Sequence, residues 1–159
     1  MSNYPEFGTN YHLFLTVVDY FSKKVWAVPV RNGYEAKDNY DALLLVCNHS
    51  NTYPHTIQSD NGGTFKGDFK GSISLHNKTH KTSKMKLIYT SAYNPTSNGL
   101  VERMNRELRK KIRAGFIIHD NLLWSQYLGD YCENINNQKS STTGYTPNQY
   151  GLKGIIQRR

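Results

Sequence analysis

Apolar residues fall in blocks whose period changes along the chain. Residues 11–18, YHLFLTVV, are apolar and β-branched, and residues 24–30, KVWAVPV, repeat that character. The residues between them, Asp19 to Lys23, are turn-forming, so the two stretches predict an antiparallel hairpin. From Glu35 to Asn48 the period lengthens. Ala36, Tyr40, Leu43, Leu44 and Cys47 recur at helical spacing and predict a helix. Pro54 interrupts, and His55–Ser59 reads as a short strand running into Asp60. Gly71–Lys84 is polar and rich in Ser, Lys and Thr, which predicts a mobile surface loop. Lys86–Thr90 reads as another strand. Asn94-Pro95 should break structure, because the residue before a proline is pushed out of helical φ/ψ. A helix is then expected from near Ser97 to Ala114, weakened at Gly115, and a second amphipathic helix from Leu122 to Asn137. The order β-β-α-β-β-α-α defines a mixed α/β domain with helices covering a sheet.

Composition narrows the class. The 159 residues suit one ordinary domain, able to bury a core without disulfides or a structural metal. With 37% hydrophobic and 13% aromatic residues the chain is too apolar to be disordered. The longest apolar run, Ala42 to Cys47, is far short of a membrane span, so no membrane partner is expected. No basic segment followed by an apolar run opens the chain, so no secretory leader is expected. Cys47 and Cys132 stand alone in apolar surroundings and read as buried free thiols of a reducing compartment.

The net charge of +8 is unevenly spread. From Thr64 to Arg113 there are twelve Lys or Arg against three acids, Asp68, Glu102 and Glu107. Such a basic half suits a polyanion partner, although a solvated basic surface has the same composition.

Two stretches carry candidate chemistry. The first is Ser59-Asp60-Asn61-Gly62-Gly63-Thr64-Phe65, an acid at a strand end followed by glycines that permit a tight turn. Reacting groups collect at strand ends of α/β sheets. Taken alone, the commoner reading is a plain turn with Asp60 as its Asx residue. The second stretch runs from Tyr93 to Leu108, YNPTSNGLVERMNREL. On a helix Asn98, Glu102, Arg106, Arg109 and Arg113 share one face, with Lys110 beside them. Leu100, Met104, Leu108 and Ile112 lie roughly opposite and would pack inward. A solvated face with a Glu102–Arg106 pair, contributing a few tenths of a kcal/mol, would show the same pattern. It would leave the Asn-Pro-Thr-Ser-Asn-Gly lead-in without a reason.

SDNGGTF and YNPTSNGLVERMNREL resemble the second and third acidic motifs of the retroviral integrase catalytic core, a core shared by retroviruses, gypsy-type retrotransposons and Maverick/Polinton-type elements. YHLFLTVVDYFSKKVWAVPV resembles the hairpin after that core's first acidic strand, and SSTTGYTPNQYGL resembles its closing segment, after a helix ending in NINNQ. The likeness covers residues 11 to 152, with 1–10 as an N-terminal loop remnant and 153–159 as a basic tail.

The resemblance implies an RNase H-like fold, a mixed sheet flanked by helices, and chemistry by three carboxylates and two divalent ions, Mg²⁺ or Mn²⁺. Asp60 and Glu102 carry over as the second and third metal ligands and catalytic acids. Asn61, Tyr93 and Asn98 carry over as flanking, DNA-contacting positions. Arg106, Arg109, Lys110 and Arg113 would lie along phosphates, giving sequence-independent, salt-sensitive affinity. The family's first catalytic Asp lies on a strand ahead of the hairpin, so that strand and ligand are expected to be missing from this chain. Asp19 is expected to be a hairpin residue and Glu6 a loop residue rather than substitutes for it.

The expected function is therefore DNA integration by a transposable element, through 3′-end processing and strand transfer. A catalytically inert DNA-binding remnant of the same fold is the alternative. Element ends and target DNA are the implied partners, a homo-oligomer is implied, and action on host DNA implies an intracellular, nuclear location. A basic RNA-binding domain finds no support, since no ribonucleoprotein aromatic motif or GXXG loop is present. His76-x-x-x-His80 has metal-ligand spacing but no CxxC accompanies it, so solvated loop histidines are expected there. Trp26 and Trp124 are expected in the core.

Overall fold

A computed structural model describes residues 11–31, 35–90, 95–119, 123–141 and 143–150. Strand β1 (Tyr11–Val18) pairs with β2 (Val25–Arg31). The turn between them closes on Asp19, whose N–H donates to Lys24 O and whose carbonyl accepts from Lys23 N–H, both at 2.9 Å. The Asp19 carboxylate accepts from Ser22 N–H and Ser22 Oγ. Asp19 is thus a hairpin residue, as its place in the pattern predicted.

Helix α1 (Ala36–Ser50) starts where Asp38 Oδ2 accepts from Glu35 N–H at 2.6 Å, and ends on Asn51 in the left-handed region at φ 52°. Strand β3 (Thr56–Ser59) runs parallel to β4 (Lys86–Tyr89), with Thr56 opposite Lys86 and Ser59 opposite Tyr89. Parallel neighbours need a crossover. Here it holds a single 3-10 turn, Gly63–Phe65, and helix α2 (Asp68–Thr79).

Helix α2 corrects the expectation of a loop over Gly71–Lys84. Phe69, Ile73 and His76 lie on one side at spacings of four and three, and all three are buried. That apolar stripe is narrow, and one of its members is a histidine. The order is therefore β-β-α-β-α-β-α-α. The same burial corrects the reading of His76 as a solvated residue. Its ring stacks on His80 at 4.3 Å, and its Nε2 lies 3.2 Å from Ser83 O.

Helix α3 (Pro95–His119) begins earlier and ends later than expected. Pro95 does not delay the start, because a first-turn residue has no use for an N–H donor. Gly115 does not stop the helix. It lies buried against Tyr131 of α4 (Trp124–Asn136), and a Cβ there would collide with the Tyr131 hydroxyl.

The chain forms two compact units. One takes Thr16–Ala27 with the chain from Leu100 onward. Its core holds Val25, Ala27, Met104, Leu108, Ile112, Leu128, Cys132 and Ile135. Inside it, buried Asn136 grips β2, with Val25 N–H donating to Asn136 Oδ1 and Asn136 Nδ2 donating to Val25 O, both at 2.8 Å. Thr16 Oγ1 of β1 donates to Asn105 Oδ1 of α3. The closing segment caps itself: Thr146 N–H donates to Gln149 Oε1 and Gln149 N–H to Thr146 Oγ1, both at 3.2 Å.

The other unit takes Val28–Gly99 with the start of β1. Val28, Val30, Ala42, Leu43, Val46, Cys47, Phe69, Ile73 and Met85 form its core, where α1 packs against α2 and the 3-10 turn. Asn39 Nδ2 donates to Thr64 O at 3.1 Å, tying α1 to the turn after Asp60. Cys47 and Cys132 are free, buried thiols. Trp26 and Trp124 are half-buried rather than fully in the core. No described helix is long and apolar enough to cross a membrane.

Candidate metal centre and nucleic-acid interface

Asp60 lies one residue past the carboxyl end of β3, and its neighbour Ser59 accepts from Thr90 N–H at 2.9 Å, which closes the β3–β4 pair at that end. The Asp60 side chain is exposed. Its Oδ1 accepts from Gly62 N–H at 3.0 Å, an Asx turn. The turn reading of DNGG and the ligand reading are compatible, since one carboxylate oxygen fixes the turn while Oδ2 makes no hydrogen bond among the described residues. Gly62 leaves room for the Asp60 carboxylate in this position. A Cβ there would stand 2.9 Å from Asp60 Oδ1. Asn61 is exposed beside it.

Glu102 sits in α3 and is exposed, as are Arg106, Arg109, Lys110 and Arg113. Met104, Leu108 and Ile112 on the other side are buried, which sets the helix orientation that the sequence pattern predicted. Among the described residues Glu102 makes no pair with Arg106; the ion pair on this helix is Lys110–Glu107 at 3.1 Å. That pair is exposed and worth no more than about 1 kcal/mol, so Lys110 can exchange Glu107 for another anion. Asn98 lies within α3, and nothing of its side chain is described. Tyr93 lies outside the described residues.

Asp60 and Glu102 belong to different units. Each offers an exposed carboxylate on a rigid element end or helix face. Hard oxygen donors with open positions suit Mg²⁺ or Mn²⁺, which keep several waters and take one or two carboxylates. No group of three or more His, Cys, Asp or Glu side chains gathers among the described residues. The sequence pattern missed a basic feature of the second unit: Lys70, Lys78 and Lys84 line one groove on α2 and the chain entering β4. Its signal was the excess of lysine between Thr64 and Thr90.

Parallel strands crossed over by a helix, a hairpin and long helices, with one acid at a strand end and one on an exposed helix face, make a mixed α/β fold. Comparison with known proteins shows what the chain is similar to. The chain is 32% identical over 100 residues to the retrovirus-related Pol polyprotein from transposon RE2 of Arabidopsis thaliana, covering 62% of this chain and 6% of that protein. It is 27% identical over 137 residues to the Pro-Pol polyprotein of feline foamy virus, covering 85% of this chain and 11% of that one. Among solved structures it matches a chain of the simian T-cell lymphotropic virus intasome in complex with PP2A regulatory subunit B56 gamma. There the TM-score is 0.73 at 26% identity, over 85% of this chain and 46% of that one. It also matches the HTLV-2 integrase catalytic core domain in complex with magnesium, with a TM-score of 0.68 at 20% identity, over 86% and 82% of the two chains. No protein-family model matches. The chain is similar to retroelement Pol polyproteins, and its fold is the RNase H-like one of the retroviral integrase catalytic core. It spans about a tenth or less of the length of these polyproteins.

Proposed function

We propose that this chain is the DNA-joining core of a retroelement Pol polyprotein, performing metal-dependent 3′-end processing and strand transfer. The observation that carries the reading is two exposed carboxylates without cation partners among the described residues, Asp60 at a strand end and Glu102 on α3, in a fold matched to integrase cores. Bound Mg²⁺ or Mn²⁺ would activate water or a DNA 3′-hydroxyl and stabilise the leaving oxygen. The chain's own part is positional. Gly62 N–H holds Asp60 Oδ1, while Oδ2 makes no hydrogen bond among the described residues. Glu102 is carried on a 25-residue helix whose buried side fixes its direction. Arg106, Arg109, Lys110 and Arg113 follow along the same helix and would neutralise phosphates. Asn61, Tyr93 and Asn98 would flank the DNA end. Element ends and target DNA in the nucleus are the substrates, and the working form is a homo-oligomer.

The test is joining of labelled duplex ends with Mg²⁺ or Mn²⁺. The assay compares the 159-residue chain with a longer version, because the family pattern uses three acids to hold two ions about 3.5–4 Å apart. A version carrying an Asp-bearing strand ahead of β1 should join ends, and should lose that activity in Asp60→Asn and in Glu102→Gln while remaining folded. Transfer indifferent to both substitutions overturns the reading. Duplex binding without transfer in either version would instead establish the inert DNA-binding alternative. Arg106→Gln with Arg109→Gln should flatten the slope of log K against log salt by about 1.8, at about 0.9 per lost phosphate contact.

A further inference from the structure

We propose that α2 and the chain entering β4 form a second backbone-phosphate site for DNA, distinct from the α3 face. The proposal rests on DNA as the partner, but on no step of metal chemistry. An open groove of about 460 Å³ lies in the second unit, with Lys70, Ser74 and Lys78 on α2 and Lys84 on the segment before β4. Lys70, Ser74 and Lys78 are four residues apart and so share one helix face. The two helix lysines are separated by about 12 Å of axis, at about 1.5 Å per residue. One DNA strand presents a phosphate every 3.4 Å or so of axis, so this span matches three or four phosphates. Ile73, Met85 and Leu87 give the groove an apolar floor for the lysine stems.

The groove is held in shape before any ligand arrives. Asn77 Nδ2 donates to Met85 O at 2.7 Å, and Met85 N–H donates to Asn77 Oδ1 at 2.8 Å. His76 Nε2 meets Ser83 O at 3.2 Å. Two adjacent helix residues thus pin the segment that carries Lys84 to the helix that carries Lys70 and Lys78. Pre-organisation of this kind lowers the ordering cost of binding.

Charge selects the occupant. From Thr64 to Thr90 there are six lysines and one acid, Asp68. All six lysines are exposed, and none forms an ion pair among the described residues. Like charges left unpaired repel, and a polyanion relieves that repulsion. Above its apolar floor the lining is ammonium groups, a hydroxyl and an amide, with no aromatic side chain to stack a base. It suits a sugar-phosphate backbone read without regard to sequence.

The experiment uses the 159-residue chain and a fluorescent duplex across a salt series, with no metal. Lys70→Gln, Lys78→Gln and Lys84→Gln together should lower the log–log salt slope by about 2–3, at about 0.9 per contact. The Arg106/Arg109 substitutions should lower it further and independently. Acetylation footprinting of the unmodified chain gives a second readout free of folding effects. The duplex should protect Lys70, Lys78 and Lys84 but not Lys37 or Lys139. An unchanged slope in a folded triple variant overturns the proposal, and so does equal acetylation with and without duplex. Protection by poly-glutamate but not by duplex overturns it too, in favour of an acidic protein partner. Failure of the metal-site reading would leave both readouts intact, because neither requires an ion or a joined product.

Discussion

Replacing Asn136 by Ala should cost the fold more than its place at a helix end suggests. Asn136 is 2% exposed and Val25 is not exposed at all. The substitution deletes both hydrogen bonds between them and leaves Val25 N–H and C=O without partners inside the core. A buried backbone group stranded in this way costs about 1–3 kcal/mol, so the pair is worth about 2–6. Water entering the vacated space would recover part of this, and the better helix propensity of Ala returns up to about 0.7 kcal/mol. The expected net loss is about 2–4 kcal/mol, a fall of about 1–2 M in the urea midpoint if the slope is about 2 kcal/mol per M. Equilibrium unfolding followed by tryptophan fluorescence and by far-UV circular dichroism measures it, and coincident curves license the two-state treatment. Asn136→Asp adds a pH test. A neutral carboxyl can still accept from Val25 N–H and donate to Val25 O, whereas an ionised one faces a carbonyl in a buried site. Burial raises the folded pKa of such an acid above its unfolded value. Stability is then retained at low pH and lost as pH rises through the folded pKa. Asn136→Asp should therefore lie closer to the unsubstituted chain at pH 4 than at pH 7, both being points chosen about the ordinary Asp pKa of about 3.9. A loss under about 0.5 kcal/mol for Asn136→Ala, within the range of an ordinary surface change, would show that the clamp contributes nothing net.

Three further outcomes follow from close contacts and burial. Gly62→Ala drives a methyl to 2.9 Å from Asp60 Oδ1, so Mn²⁺ binding followed by electron paramagnetic resonance should weaken several-fold at unchanged melting temperature; unaltered Mn²⁺ affinity would remove Asp60 from the metal centre. Gly115→Ala should destabilise although Ala is the better helix former, because overpacking against Tyr131 costs about 1–3 kcal/mol against a propensity gain of about 1. Tyr131→Phe in the same chain should recover much of the loss, and a more stable Gly115→Ala chain would refute the contact. Burial pushes the thiol of Cys47 up from 9.0 to about 11 and that of Cys132 to about 12. Both should resist iodoacetamide in the folded chain at pH 8, and their contribution to stability, full below pH 9, should be lost as pH rises through about 11–12. Cys47→Ala with Cys132→Ala should flatten that alkaline loss; an identical pH profile would show that neither thiol takes part.

The hairpin, β3 and β4 were legible as apolar or β-branched runs bounded by turn residues, and α1 as apolar residues at helical spacing. Val25, Ala27, Val28 and Val30 fill β2, and Ala42, Leu43, Val46 and Cys47 fill one side of α1. Helix α2 was not legible. Its buried side is Phe69, Ile73 and His76 alone, and its remaining residues have the composition of a loop. The direction of α3 was readable from Met104, Leu108 and Ile112, but its length was not, since Gly115 is explained only by Tyr131, 16 residues further on. No motif in the sequence marked a role for Asn77 or Asn136. Their roles rest on partners 8 and 111 positions away that no local pattern contains. Asp60 and Glu102 stood out through motifs, whereas Lys70, Lys78 and Lys84 were visible only as charge until α2 put them on one groove.

The reach of the Asn136–Val25 clamp also fixes an order of events during synthesis. The second unit is nearly continuous in sequence, from Val28 to Gly99, whereas the first takes its strands from before that stretch and its helices from after it. A ribosome adds roughly 5–20 residues per second, so the 111 positions between Val25 and Asn136 take roughly 6–22 s. Throughout that interval the backbone polar groups of Val25 have no Asn136 to meet, and for most of it Leu128, Cys132 and Ile135 have not yet been made to cover their side of the core. The nascent chain thus carries a finished inner segment and an open, sticky outer one. Translation that stalls between Gly99 and Trp124 would leave a product prone to chaperone capture or proteolysis, while a stall beyond Asn136 would release one able to close.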